Sequence, residues 1–256
     1  MTASGFPSDA LLPPRPASLG EILDAGFVLF RRTLLRCVPF SLLAVLFGQL
    51  PAVYLLRTEQ SLALNQPKDL LWWLIMMLSA LGTLWTWLVI MLRQRDALQG
   101  GENVRPFDVG AARALVLLPR SLALLAIAGI AVLIGLVLFV LPGIYLLVSF
   151  WLALPLLVFE GVGVRAALDG ALQLVRGHWR HLAATLLVVV MSVLALFVIG
   201  SLCALLIGQL SGRSALIDDA LLGGIVAGVL GALFQPLVIA LTLAAYADLR
   251  HRRSID

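Results

Sequence analysis

The fold class predicted by this sequence is an all-α, polytopic integral membrane protein. Three observations predict it: overall hydrophobicity, collection of the apolar residues into long runs, and a lopsided placement of the arginines. Of the 256 residues, 61% are hydrophobic and 12% charged, with a mean hydropathy of +1.04; soluble domains sit near half apolar and a quarter charged. The apolar runs approach the roughly 20 residues needed to cross about 30 Å of hydrocarbon, so one bundle is expected in place of one or two soluble domains.

Taken in order, residues 1–17 read as a flexible, Pro-rich cytoplasmic tail. They lack a basic start followed by a continuous apolar core, so no cleavable signal peptide is expected. Pro7, Pro13, Pro14 and Pro16 oppose helix there, because each lacks an amide donor and biases its predecessor away from the helical region. Residues 18–256 then form a single six-helix transmembrane domain. The expected spans are Cys37–Leu56, Leu70–Leu92, Ser121–Leu141, Ile144–Phe159, Leu182–Ile207 and Leu221–Ala247. Pro142-Gly143 should break the chain between the third and fourth. The fourth, 16 residues long and kinked at Pro155, should thin the bilayer locally or pack within protein.

Orientation follows from counting basic residues. With the N-terminus inside, 15 arginines fall on the cytoplasmic side and only Arg57, Lys68 and Arg213 outside, which by the positive-inside rule places both termini in the cytoplasm. Trp72 and Trp73 near the start of span two, and Trp179 before span five, suit the membrane interfaces. The formal charge of +4 sits in short clusters beside apolar runs, so it sets topology and does not point to nucleic acid.

The segment ILDAGFVLFRR, Ile22 to Arg32, puts Leu19, Ile22, Leu23, Phe27, Phe30 and Leu34 on one half of a helix. Glu21, Asp24, Arg31, Arg32 and Arg36 fall on the other. An interfacial helix is expected. At an offset of 145 residues ALDGALQLVRG, Ala167 to Gly177, repeats those two faces, and ALVLLPRSL, Ala114 to Leu122, is a weaker third copy at an offset of 88. Two or three cytoplasmic amphipathic helices, each ahead of a two-span hairpin, would be internal repeats of parallel topology. Inverted repeats are the commoner mark of alternating-access carriers.

Three stretches carry a resemblance: SLGEILDAGFVLFRR at Ser18–Arg32, LPGIYLLVSFWLALPLLVFEGVGVRAALDGALQLVRG at Leu141–Gly177, and AAYADLRHRR at Ala244–Arg253. They resemble the bacterial membrane domains found joined to glycerophosphodiester phosphodiesterases, which also occur alone. The resemblance implies a six-helix membrane domain in a bacterial inner membrane. It implies no catalytic residue here, because the metal-binding barrel of the fused members has no counterpart in these residues.

The chemistry-bearing residues support the same picture. His178 and His181 have a spacing that could join two imidazoles, but zinc needs three or four ligands and Asp169 faces elsewhere; with Arg176, Trp179 and Arg180 they read as headgroup contacts. Arg31, Arg32 and Arg250 belong to the same lipid-contacting set. Glu160 should pair with Arg165 or Arg31, since no ionisable group lies deeper to serve a proton relay. Gln235 precedes Pro236, which frees the carbonyl of Ala232, and its amide is a candidate to satisfy that group. Gly223, Gly224, Ala227, Gly228 and Gly231 form small faces for close helix approach, within the chain or in a homo-oligomer. Cys37 and Cys203 read as buried hydrophobes. No P-loop, GxSxG, HExxH or CxxC motif occurs. The expected protein is a non-enzymatic scaffold or accessory module without cofactor, whose partners are membrane lipids and other membrane proteins. The alternative is a carrier or exporter for a lipid-like or amphipathic substrate.

Overall fold

The computed structural model describes residues 17–58, 69–98, 107–177, 179–210 and 216–255. Among them the regular elements are all helices: α1 (Leu19–Thr58), α2 (Leu70–Leu98), α3 (Phe107–Leu138), α4 (Val140–Phe150), α5 (Ala153–Glu160), α6 (Val164–Val175), α7 (Trp179–Leu210) and α8 (Leu216–Ile255). They supply 6 stretches long and apolar enough to cross a membrane, and the chain is an all-α, multi-pass membrane protein.

The sequence SLGE starts α1 as a reciprocal cap. The Glu21 carboxylate accepts the Ser18 amide at 2.7 Å and the Ser18 hydroxyl accepts the Glu21 amide at 3.4 Å, which satisfies two donors that lack helical partners. The helix then runs 40 residues through Pro39 and Pro51, about 60 Å at 1.5 Å per residue and roughly twice the hydrocarbon thickness. This corrects an expectation: residues 19–36 are the first half of the span-one helix and not a separate helix. ALVLLPRSL likewise lies inside α3. Only the copy at Ala167–Gly177 forms a helix of its own, α6.

The physical reason sits at one position. Gly177, which stands where the first copy has Arg32, has φ +85°, a left-handed conformation that a glycine adopts without steric cost and an arginine does not. The second copy therefore stops where the first continues. The buried register is nonetheless shared. Gly26, Ala114 and Ala171 are buried, as are Leu29, Leu117 and Leu174 and the pair Thr33 and Ser121.

Protein covers the Ile22 and Leu29 side of α1's first half, while Phe27 of the expected apolar face stays exposed. Gly26 meets Leu241 of α8 so closely that an added Cβ would lie 3.1 Å from its Cα, and Val45 lies over Gly228, an antiparallel pairing. The stretch of α8 from Ile239 to Leu249 is buried at every residue. Its alanines present little bulk on any side, so neighbouring helices can close around it. The core comprises Ile22, Leu29, Leu88, Ile90, Leu157, Leu182, Ile239 and Tyr246. Buried hydroxyls of Thr33, Ser41, Thr86, Ser149, Thr185 and Thr242 donate to carbonyls one turn back in their own helices.

The α3–α4 break falls at Phe139, whose backbone is extended at φ −155° and ψ 134°, and not at Pro142-Gly143. Pro142 occupies the first turn of α4, where a missing N–H costs no helical bond. Gly143 and Gly135 allow the two helices to cross, since a Cβ on Gly135 would sit 3.0 Å from the Gly143 Cα. The fourth span divides at Trp151–Leu152 into α4 and α5. Pro155 falls in the first turn of α5 for the same reason. Together the two helices make a stretch of 21 residues, about 31 Å long, so the thinning expected of a short span is not needed.

The remainder of the tail, together with Lys68, His178 and Arg213, lies outside the described residues, as do the surroundings of Cys203, Gly223, Gly224, Ala227 and Arg253.

Candidate functional site

The C-terminal turns of α8 gather two polar clusters. In the first, the Asp248 carboxylate, 1% exposed, takes the Nε of Arg252 at 2.7 Å on Oδ2, with the His181 Nε2 3.5 Å from the same oxygen. Its Oδ1 accepts the amide of Ala17 at 2.9 Å, and Arg252 Nη2 donates back to the Ala17 carbonyl. One buried carboxylate thus joins the start of α1, the start of α7 and the end of α8. Ala17, assigned to the tail by composition, is itself buried. Burying such an anion is tolerable only because a cation and an amide surround it.

The second cluster is carried two residues earlier on α8, by Tyr246 and Arg250. Glu160, the last residue of α5, accepts the Tyr246 hydroxyl at 3.0 Å and lies 3.2 Å from Arg250 Nη1. Arg250 also donates to the Tyr246 oxygen at 3.2 Å. Tyr246 packs on Phe159 with ring centroids 5.5 Å apart, and the Arg95 guanidinium stands 5.3 Å from the Phe159 ring while donating to the Val158 carbonyl at 3.0 Å. Arg93 stacks 4.6 Å from the Phe40 ring beside buried Cys37. These arginines hold the helices together and are distinct from those that face outward.

Several expected partners change. Glu160 pairs with Arg250, whereas Arg165 faces Asp169 at 3.9 Å on the exposed side of α6. His181 belongs to the Asp248 cluster. Among the described residues no group of three or more His, Cys, Asp or Glu could hold a metal. Trp179 stacks on Tyr145 of α4 at 6.0 Å, so its ring packs on protein. Arg31, Arg32, Arg176 and Arg180 are exposed. Arg250 reaches inward, with its side chain still 45% exposed.

Beside Pro236 the amide with a resolved bond is Gln94's: its Nε2 donates to the Pro236 carbonyl at 2.7 Å and the residue is fully buried. Gln235, expected to serve the proline break, is half-buried. Gly228 takes up the Val45 side chain, and Gly224 lies in α8 with its surroundings outside the described residues. Asp248 and Arg252 at i, i+4 on the last helix were the available signal for the first cluster; Gln94 carried none beyond being polar at the end of an apolar run.

A cavity of about 520 Å³ opens between α2, α3, the α4–α5 break and α8. Ala80, Thr83, Leu84, Trp87 and Met91 form one wall, and Leu124, Leu125 and Ala128 a second. Phe150, Trp151, Leu154 and Pro155 form a third, and Thr242 completes the lining. The interruption at Trp151–Leu152 helps to make this space, because the residues on both sides of the break line it. Its volume lies within the roughly 300–1,000 Å³ of small-molecule sites, and its lining is almost wholly apolar.

Comparison of the chain with protein-family models, with curated proteins and with solved structures finds no match in any of the three. The resemblance read from the sequence therefore rests on its own residues.

Proposed function

We propose that this chain is a non-enzymatic accessory module of a bacterial inner membrane, with both termini cytoplasmic, that gathers anionic lipid and, through it, partner proteins. The observation that carries this reading is a division of labour among arginines. Arg93, Arg95, Arg250 and Arg252 engage aromatic rings, carbonyls or carboxylates inside the bundle, whereas Arg31, Arg32, Arg176 and Arg180 point outward. Arginines at a membrane surface attract anionic headgroups with about 1 kcal/mol each, and the resemblance to phosphodiesterase-linked membrane domains implies a stand-alone membrane module.

The test converts Arg31, Arg32, Arg176 and Arg180 together to glutamine and extracts the full chain with its surrounding lipid from native membrane. Enrichment of anionic over zwitterionic lipid, read by mass spectrometry, should fall severalfold. Unchanged enrichment refutes the proposal.

A carrier for a lipid-like substrate is the second reading, favoured by the cavity. Along α2 the lining runs from Ala80 to Met91, about 16 Å, roughly half the hydrocarbon thickness. Gln235 does not line it. Those dimensions suit holding an apolar group better than passing it between leaflets.

A further inference from the structure

We infer that the cavity between α2, α3, the α4–α5 break and α8 is a binding site for one acyl chain of an anionic membrane lipid, its headgroup lying where the cavity walls turn polar. This site is separate from the outward arginines, and its test does not depend on them.

Three features commit the occupant. The first is chemistry: the lining consists of apolar side chains apart from Thr83, Thr242 and the indole N–H groups of Trp87 and Trp151, and the Thr242 hydroxyl is already spent on the Val238 carbonyl at 2.7 Å. A polar solute would gain little there, whereas a hydrocarbon chain would be covered on several sides. The second is length. The lining extends along α2 for about 16 Å, and half of a 30 Å hydrocarbon core is about 15 Å, the reach of a chain within one leaflet.

The third is charge at one end. Residues four apart share a helix face, and one turn past the lining the α2, α3 and α8 walls become polar, while α5 carries Val158 and Phe159 there before ending. On α2 Met91 is followed by Arg95, on α3 Leu124 is preceded by Arg120, on α8 Thr242 is followed by Tyr246, and beyond Pro155 α5 ends at Glu160. Three of these walls meet there by contact, since Arg95 reaches the Val158 carbonyl, Phe159 packs on Tyr246, and Tyr246 bonds Glu160. Arg250 pairs with Glu160, and Arg95 and Arg120 stand at the same end of the bundle. An exposed arginine such as Arg120 beside an apolar slot favours an anionic amphiphile over a zwitterionic one.

Trp87 and Trp151 line the cavity and serve as built-in reporters. The full chain is placed in nanodiscs containing lipid brominated on its acyl chains, either phosphatidylglycerol or phosphatidylcholine, mixed into an unbrominated background. The quenching that belongs to the cavity is the difference between the native chain and W87F/W151F. Native protein should reach half-quenching at a mole fraction of the anionic lipid about fivefold lower than of the zwitterionic one, the preference expected from one surface arginine. Arg120→Gln should bring the two curves together. Ala128→Phe, which adds a ring to the lining, should abolish the cavity component for both lipids while far-UV circular dichroism stays native. Equal quenching of the native chain by both lipids overturns the proposal, as does an Ala128→Phe variant that folds and keeps the anionic preference. Loss of lipid enrichment in the fourfold glutamine variant with retained cavity quenching would leave this site standing, and the converse would remove it alone.

Discussion

Replacing Asp248 by alanine should destabilise the bundle more than any other single truncation of a polar side chain. The carboxylate is 1% exposed and its partner Arg252 15% exposed, so neither charge is well solvated in the folded protein. Removing one member of a buried pair costs about 3–5 kcal/mol, chiefly because the other is left buried and uncompensated. The Ala17 amide, 2.9 Å from Oδ1, loses its acceptor in the same step, an effect of about 1.5–3 kcal/mol for a charged acceptor. Both losses stem from one group and overlap, and Arg252 lies near the end of α8 where it can turn toward water, so about 3 kcal/mol is expected. Arg252→Met should cost a similar amount, because Asp248 keeps only the Ala17 amide and His181. The double variant should be milder than the sum of the singles, since it leaves no unpaired charge. Reversible unfolding in mixed micelles of rising dodecyl sulfate fraction, followed by circular dichroism, measures all three. A loss under about 1 kcal/mol for Asp248→Ala, the range of exposed ion pairs, or strict additivity in the double variant, would refute the reasoning.

Two backbone predictions follow from the same bundle. Gly26→Ala would place its Cβ 2.6 Å from the Leu241 Cδ2 and 3.1 Å from its Cα, and should cost about 1–3 kcal/mol by overpacking; Gly20→Ala, with nothing within 4 Å, should be neutral or stabilising by up to about 1 kcal/mol, and the same unfolding titration separates them. Gly177→Ala, at φ +85°, should cost about 1–2 kcal/mol and show as faster proteolysis between α6 and α7.

The spans were legible because hydrocarbon imposes its thickness on any helix that crosses it. The face of Ile22 and Leu29 was legible too, as periodicity. What covers that face was not, for lipid and the side of α8 are equally apolar and a 3.6-residue period does not distinguish them. The α3–α4 break was misplaced by three residues, to Pro142 from Phe139, because a proline reads the same whether it ends one helix or begins the next. Glu160 was recognised as a paired carboxylate, but Tyr246 lies 86 residues away, and Ala17 and Asp248 are 231 apart, distances over which no local spacing speaks. Gln94 and the cavity arise from packing, and both depend on how α2 meets α8, which only the assembled helices reveal.

The most direct measurement places single cysteines at Arg176, exposed after α6, and at Thr58, exposed at the end of α1, in a chain whose Cys37 and Cys203 are alanine. Both are then probed with a membrane-impermeant maleimide. In intact spheroplasts a multi-pass bundle with its arginines on the cytoplasmic side gives labelling at position 58 alone, with position 176 reacting only after the membrane is opened. Labelling at position 176 in sealed spheroplasts, or a chain that leaves the membrane without detergent, would contradict it.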